Sequence, residues 1–185
     1  MRCYREVVTH SNGRHRRSET NITDMSAVDY FLKIDGIKGE SQDTKHGGEI
    51  EIQSFSWGAT QSGSFAQGGG GGAGKVNMQD FHFTVFHGVA SPKLMLACAT
   101  GQHIPTAVLT ARKAGKDQQD YMKVSFYDLL ISSFQTGGSS GSVNPTDQVS
   151  FNFGKIEHEY KEQTKGGTLG GTVKAMFDLK KMAGS

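Results

Sequence analysis

The sequence predicts a mainly β fold: a compact β-barrel of two packed sheets with one short α-helix and a long extended loop. Alternating apolar and polar residues, the spacing typical of strands, recur in about seven segments of the chain. Glycine accounts for 25 of the 185 residues and proline for only 3, which is typical of many turns rather than of a helical bundle. Only one segment carries the start and stop signals of a helix, so helix is the minor element.

The polar segment 1–24 differs from the rest of the chain in its lack of periodicity and its five arginines. We expect it to be a disordered leader or the product of a mis-assigned start, with Met25 as the true start. A basic interaction tail is the alternative. Residues 25–185 are expected to form a single β-barrel domain, which is long enough to bury its own core.

Two strand segments precede the glycine-rich region. The first, VDYFLKI, begins at Val28 and places alternate apolar residues on one face. In the second, EIEIQSFSW, the apolar residues change face between Ile52 and Phe55. A phase slip of one residue predicts a bulge near Gln53 or Ser54.

A helix is predicted at SPKLMLACATG, after the strand segment KVNMQDFHFTVFH. Ser91 is expected to be the N-cap, with Pro92 at the first helical position and Gly101 just past the end. This single short helix should plug or flank the barrel through an apolar stripe, which consists of Leu94, Met95, Ala97 and Cys98.

The later strand segments are longer. VSFNFGKIEHEYK is expected to change phase at Gly154. The long segment YMKVSFYDLLISSF has two apolar faces: one comprises Met122, Val124, Phe126, Leu130 and Phe134, and the other Tyr127, Leu129 and Ile131. Its far half is therefore expected to be covered on both faces. The last segment, TVKAMFDLK, should place four apolar residues on one face: Val173, Ala175, Phe177 and Leu179.

The stretch GGGGGAGKV, residues 68–76, is similar to a phosphate-binding loop, since Gly69, Gly74 and Lys75 match most of the pattern G-x-x-x-x-G-K-[ST]. The last position is Val76, which cannot bind magnesium as Ser or Thr would. The approach GATQSGSFAQ is polar, and VNMQDFHFTV alternates as a strand where a phosphate-binding loop needs a helix. The glycines therefore indicate a pliable loop that returns to a strand.

The sequence displays no catalytic constellation. The histidines are scattered, and His82 alternates with two phenylalanines, which favours a surface position over a metal site. Cys98 falls on the apolar stripe of the helix, where a buried, inert thiol is expected. We therefore expect no enzyme activity, no cofactor and no metal.

Charge and hydropathy argue against several classes of partner. The formal net charge of +2 is too small to favour nucleic acid, and the chain has no apolar run of 18 residues that would insert into a membrane. The N-terminus lacks the apolar stretch of a cleavable signal peptide. Two cysteines are too few for a disulfide framework, which is typical of a protein made in a reducing cytoplasm.

Several long segments, in a fixed order, resemble the haemolysin-coregulated protein (Hcp) family, the tube subunits of the bacterial type VI secretion system. They are VDYFLKIDGIKGES, SFSWG, GGGGGAGKVNMQDFHF, SPKLMLACATGQHIPTAVLTARKAG and LLISSFQTGGSSG. The resemblance covers about Ser26 to Met182, and family members typically begin near Met25.

The resemblance implies a β-barrel of two sheets with a helix at its side, six copies of which form a ring. Rings would stack into a hollow inner tube inside a contractile sheath, capped by a trimeric valine-glycine repeat spike protein. The lumen would carry and stabilise small secreted effectors, and the protein would pass from the bacterial cytoplasm through the secretion apparatus. The alternatives are a structural protein like those of phage tail tubes, or a soluble β-barrel nucleotide-binding enzyme.

The resemblance also implies two sets of site residues. The family connects two early strands by a long excursion that reaches an adjacent ring, here from about Ile52 to Lys75. Its ring–ring contact residues would be Phe55, Trp57, Phe65, Gly70 and Lys75. Alternatively, Trp57 closes the end of the barrel. A serine in the family's loop faces the lumen, which implies an effector contact at Ser139, with Gly138 and Ser140 beside it.

Overall fold

The computed structural model describes residues 28–61, 75–113, 118–163 and 169–185. The described residues are mainly strands and include one α-helix, so the predicted fold class is confirmed. Segment 1–24 lies outside the described residues, and the expectations of a leader and of a single domain over residues 25–185 stay predictions.

The described residues form eleven strands and one helix, more strands than the seven or so that the alternation predicts. They are β1 (Val28–Ile34), β2 (Ile50–Ile52), β3 (Ser54–Ser56), β4 (Ala59–Gln61), β5 (Val76–Met78), β6 (Phe81–Phe86), α1 (Ser91–Thr100), β7 (His103–Lys113), β8 (Asp120–Gly137), β9 (Thr146–Gln163), β10 (Leu169–Asp178) and β11 (Ala183–Gly184).

Nine of these strands form one antiparallel sheet that folds into two packed layers. The first layer has the order β11-β10-β9-β8-β7-β1-β2, and β6 joins β9 on the other side with β3 as its neighbour. Strands β8 and β9 are each 18 residues long, and different halves of them pair in the two layers. The hydrogen-bonded path ends at edge strands, so the barrel is not closed by a continuous ring of hydrogen bonds.

A cluster of phenylalanines fills the space between the layers. Phe81, Phe83, Phe126 and Phe151 are each no more than 2% exposed. The ring centroid of Phe81 lies 4.9 Å from those of Phe126 and Phe151. Each buried aromatic side chain stabilises the fold by about 1.5–3 kcal/mol, so this cluster is a major source of stability.

The chain passes from one layer to the other at Gln53. Strand β2 pairs with β1, whereas β3, which begins one residue later, pairs with β6. The backbone N–H of Gln53 already donates to Thr84 of β6, at 2.8 Å. The predicted irregularity near Gln53 or Ser54 is therefore a bend between two strands, and it explains why the apolar residues change face there.

The expectation that the far half of β8 is covered on both faces is only partly met. Val124 and Phe126 are buried as expected, but Leu129 and Ile131 follow them into the core and Leu130 is 37% exposed. The cause is Asp128, whose φ of 55° shifts the alternation by one residue.

A second irregularity restores the expected position of Phe134. The pairing of β8 with β9 shifts register between Ile131 and Ser133, so Phe134 packs against the core. Opposite Asp128, β9 also changes phase at Gly154, as predicted: Phe153 and Ile156 are both buried. A side chain at Gly154 would press on the Asp128 Cβ at 3.2 Å.

The helix ends as predicted but begins differently. Gly101 is the C-cap with a φ of 64°, a left-handed conformation that suits glycine. The N-cap is Ala90, and Ser91, the expected N-cap, is the first residue of the helix. The Ser91 hydroxyl accepts a hydrogen bond from Gly88 N at 3.0 Å. Leu94 and Ala97 face the core, whereas Met95, expected in the apolar stripe, is 48% exposed.

The expectation for the last long strand is also only partly met. Phe177 and Leu179 pack against the core, but Val173 is 69% exposed and Ala175 is exposed as well. Within the described residues, β10 makes extensive contacts only with β9 and β11, so no second layer covers its first half.

A buried ion pair holds the loop between β1 and β2 against the sheet. Arg112 of β7 is 3% exposed, and its Nη2 donates to Asp43 Oδ2 at 2.7 Å. The guanidinium carbon also lies 4.7 Å from the centre of the Phe31 ring. The hydrogen bond from Arg112 is the main reason why the pKa of Asp43 lies well below its usual range.

Candidate functional site

The outer face of the layer formed by β3, β6, β9 and β8 is polar, although its inner face belongs to the phenylalanine core. Pairing between the strands sets polar residues side by side in two rows. The first row is Ser54, Thr84, Gln148 and Gln135, and the second is Ser56, His82, Ser150 and Ser133. We call these eight residues the polar wall.

Hydrogen bonds connect the side chains of the polar wall across the strands. The hydroxyls of Ser54 and Thr84 lie 2.6 Å apart, and His82 Nδ1 lies 2.6 Å from the Ser150 hydroxyl. His82 is exposed, as its sequence position predicted. These contacts restrain the four side chains that take part in them.

The polar wall borders a shallow groove of about 540 Å³. Its described lining is rich in hydroxyl and amide groups, and Asp80 and His82 are the only ionisable side chains among those residues. Such a lining can form many hydrogen bonds with a polypeptide or another polar surface without selecting for charge. Among the described residues of the lining, His82 contacts Ser150 and Asp80 contacts Ser132, so no carboxylate orients the histidine as a catalytic triad requires.

The loop between β8 and β9 continues the polar wall. Ser139, Gly138 and Ser140 all lie in this loop and are exposed. A second concavity of about 370 Å³ is lined by Gly138 and Ser139, and it shares Gln135 and Gln148 with the groove. The sequence-derived residue Ser139 thus lies next to the polar wall, whereas Ser140 does not line either concavity.

A buried carboxylate holds this loop and the helix in place. Asp147, at the start of β9, is 0% exposed, and its Oδ1 lies 3.0 Å from His87 Nδ1. Burial raises the pKa of Asp147, but interactions with Ser91, Thr136 and His87 outweigh it and lower the pKa overall. The Oδ2 atom has no partner of good hydrogen-bond geometry, so His87 makes the best-defined contact.

The long connection after β3 forms a two-stranded arm, β4 paired with β5, which belongs to a separate small sheet. Gln79 N donates to Gly58 O at 2.8 Å at the base of the arm. Lys75 is exposed and precedes β5, at the described end of the arm. Phe65 and Gly70 lie outside the described residues.

The two aromatic residues before the arm contact the core of their own chain. Phe55 packs with its ring centroid 5.2 Å from that of Tyr30 and 5.8 Å from that of Phe81. Trp57 is partly buried and lies edge-on to His158, at 6.2 Å. The alternative interpretation, that Trp57 closes the end of the barrel, requires such a contact within its own chain. A role of Phe55 or Trp57 in the contact between rings stays a prediction.

Sequence reasoning missed the polar wall because its residues come from four separate segments. The signal was present in each strand: in SFS, FHFTVF, VSF and SSFQ the residues between the aromatic positions are Ser, His, Thr or Gln. Alternation predicts that such residues share a face within one strand. It does not give the order of strands, which the pairing in the fold supplies.

The described residues offer neither a membrane-spanning helix nor a metal site. No helix there is long and apolar enough to cross a membrane. The same residues contain no group of three or more His, Cys, Asp or Glu side chains placed to hold a metal ion.

Comparison with known proteins places the chain in a family. The family model for "Type VI secretion system effector, Hcp" matches residues 31–160, well over half of the chain. The chain belongs to the Hcp family. The curated Hcp1 protein of Pseudomonas aeruginosa PAO1 is 45% identical over 156 residues, which cover 83% of this chain and 96% of that relative.

Solved structures of Hcp proteins share the fold. A structure described as a type six secretion system protein has a TM-score of 0.81 and 30% identity, and the match covers 86% of this chain and all of that one. Hcp1 from Salmonella typhimurium has a TM-score of 0.72 and 37% identity, with the same shares covered. This Hcp chain is therefore a type VI secretion protein with the tube-protein fold.

Proposed function

We propose that this Hcp chain is a structural subunit of the type VI secretion inner tube, and that six copies form a ring whose lumen is lined by the polar wall. The observation that carries the proposal is the two-faced layer β3-β6-β9-β8, apolar inside and polar outside, beside the exposed Ser139 loop. Membership of the Hcp family supports the assembly of copies into a tube. The polar wall supports an orientation of the subunit in which this outer face lines the lumen.

A tube lumen must hold cargo and then release it. Hydroxyl and amide side chains suit this task because their hydrogen bonds to a protein surface replace similar bonds to water and add little net free energy each. A charged lining would select cargo by sign, and an apolar one would bind cargo too tightly to release it. The polar wall therefore fits a carrier of small secreted effectors, with Ser139, Gly138 and Ser140 at its edge.

The remaining partners follow from the same role. Rings stack into the tube, the contractile sheath surrounds it and the valine-glycine repeat spike protein caps it. The protein is made in the bacterial cytoplasm and leaves through the secretion apparatus without a cleavable signal peptide. The role is mechanical, so it needs no enzyme activity, cofactor or nucleic acid.

The alternative function, nucleotide binding, would require a helix directly after the glycine-rich loop. A phosphate-binding loop leads into a helix whose N-terminus holds the phosphates. Here Val76, directly after Lys75, begins strand β5. This observation favours the tube subunit over a nucleotide-binding enzyme, and the family match favours it over a phage tail-tube protein.

Sedimentation velocity of the purified protein tests the assembly. The proposal predicts a hexamer at micromolar concentration and longer stacks as the concentration rises, because stacked rings form an open-ended polymer. A species that stays monomeric from micromolar to millimolar concentration would contradict it.

A further inference from the structure

His82 is the one residue of the polar wall whose charge can change near neutral pH. The other members of the polar wall are serines, glutamines and a threonine, whose side chains stay neutral. Histidine is the side chain that ordinarily gains or loses a proton between about pH 5 and pH 8. Any charge on the polar wall itself therefore comes from His82.

His82 lies where it would meet cargo. Strand pairing places it between Ser56 of β3 and Ser150 of β9, in the second row of the polar wall. Its side chain is exposed and lines the groove of about 540 Å³. A proton on this ring would thus add its charge at the surface of the polar wall and not in the core.

The hydrogen-bond partner of His82 accommodates both protonation states of the ring. His82 Nδ1 lies 2.6 Å from the Ser150 hydroxyl. A hydroxyl can accept a hydrogen bond from a protonated ring nitrogen and can donate one to an unprotonated nitrogen. The ring can therefore gain a proton and keep this contact.

Other histidines of the described chain contact carboxylates instead. His87 Nδ1 lies 3.0 Å from Asp147 Oδ1, and His103 Nε2 lies 3.2 Å from Asp128 Oδ1. A carboxylate beside the ring offsets the positive charge of an added proton. Because the partner of His82 is a hydroxyl, this partner does not offset the charge that His82 gains.

Asp80 is the one other ionisable side chain among the described residues that line the groove. It accepts a hydrogen bond from the Ser132 hydroxyl of β8. Strands β3, β8 and β9 contribute only serine, glutamine and phenylalanine to this lining. Each subunit therefore presents one negative charge in the groove when His82 is neutral, and two balanced charges when His82 is protonated.

We propose that His82 determines which charge of cargo the lumen retains, so that acidic polypeptides are held better when its ring is protonated and basic ones when it is neutral. In a ring of six copies every copy adds the same charge, and like charges around an enclosed opening act together on a polypeptide inside it. This inference rests on the proposed tube function and assigns the charge selectivity of the cargo surface to one residue.

Binding of two labelled peptides to purified rings tests the assignment. One probe is a short flexible peptide of alternating aspartate and glycine, the other has lysine in place of aspartate, and both carry tetramethylrhodamine. Fluorescence anisotropy gives their affinities at about pH 5.5 and about pH 8, on either side of the ordinary histidine titration. The acidic peptide should bind about tenfold more tightly at the lower pH, and the lysine peptide should bind more weakly there.

Three variants separate His82 from the other titrating groups. His82→Asn cannot gain a proton but keeps a hydrogen-bonding atom near the position of Nδ1, so its affinity for the acidic peptide should be nearly the same at both pH values. His82→Lys is positive at both pH values and should bind the acidic peptide tightly at both. His103→Gln, at an exposed histidine outside the polar wall, is the matched control and should keep the full response.

Electron microscopy of each sample at both pH values shows whether rings are present. If rings of His82→Asn or His82→Lys respond to pH as the unmodified rings do, the assignment of His82 is overturned and the tube function stands. The absence of any response in unmodified rings has the same meaning. Unmodified protein that forms no rings at either pH would overturn the tube function itself.

Discussion

Two residues near the edge of the polar wall, Ser139 and Asp147, differ in burial and in how far the sequence predicts them. Ser139 is exposed in the loop, and its carbonyl accepts a hydrogen bond from Ser142 N at 3.0 Å, which restrains the backbone there. Asp147 lies a few residues away and is fully buried. The first was assigned from a family resemblance. The burial of Asp147 could not be predicted in this way, because its partner His87 lies 60 positions earlier in the sequence.

Asp147 should make stability depend on pH. Its pKa is lower in the folded protein than in an unfolded chain, where a carboxyl group titrates near about 3.9. The stabilisation is therefore complete above that value and disappears as the pH falls through the folded pKa. Asp147→Asn should lower the free energy of unfolding at pH 7 by about 1–3 kcal/mol, and by less below about pH 4.

Urea unfolding midpoints at neutral and acidic pH measure this difference. Asp35→Asn, at an exposed carboxylate, is the control and should change the midpoint little at either pH. A deficit for Asp147→Asn that is the same in acid as at neutral pH would show that the ionised carboxylate adds no stability.

At the scale of elements, alternation predicted where strands lie better than which face is buried. Strand β8 shows why: a positive φ at Asp128 and a register shift after Ile131 each move the alternation by one residue. Aspartate tolerates this conformation better than most residues do, but it adopts the conformation only where the fold requires it. The face of β8 was therefore not readable from the sequence of that strand alone.

The C-terminal end of the helix could be predicted because glycine adopts the left-handed conformation that often ends a helix. Gly101 has a φ of 64°, and its N–H bonds back to Cys98 O. Gly101→Ala should destabilise the protein by about 1 kcal/mol, since a left-handed conformation strains a residue with a side chain.

Thermal or chemical unfolding checks this value against Gly141→Ala. Gly141 lies in the β8–β9 loop, its φ is not positive and a Cβ there would meet nothing within 4 Å. Equal stability of the two variants would show that the left-handed cap is not a constraint.

At the scale of the whole molecule, the fold class could be predicted because alternation and glycine content are properties of the chain as a whole. The polar wall could not, because it unites residues from Ser54 to Ser150 through three strand pairings. Long-range pairing is a property of topology, which a single sequence does not display. The family resemblance predicted a tube subunit, but it did not predict which face of the sheet lines the tube.

Ser139→Gln should reduce the retention of effectors without disturbing rings. The larger side chain would extend over the concavity that Ser139 shares with Gln135 and Gln148. Co-purification of a cargo effector with the variant ring measures the loss, and Thr172→Gln, at an exposed position of β10, is the matched control. Retention equal to that of the unmodified protein would remove Ser139 from the cargo surface.

The central claim is that copies of this chain form a ring whose opening is lined by the polar wall. Electron cryomicroscopy of the purified assembly tests it most directly, at a resolution that places strands β3, β6, β8 and β9. The account predicts six-membered rings with an open centre and the rows from Ser54 to Gln135 and from Ser56 to Ser133 facing it. Rings in which these rows face outward, or particles without an open centre, would contradict it.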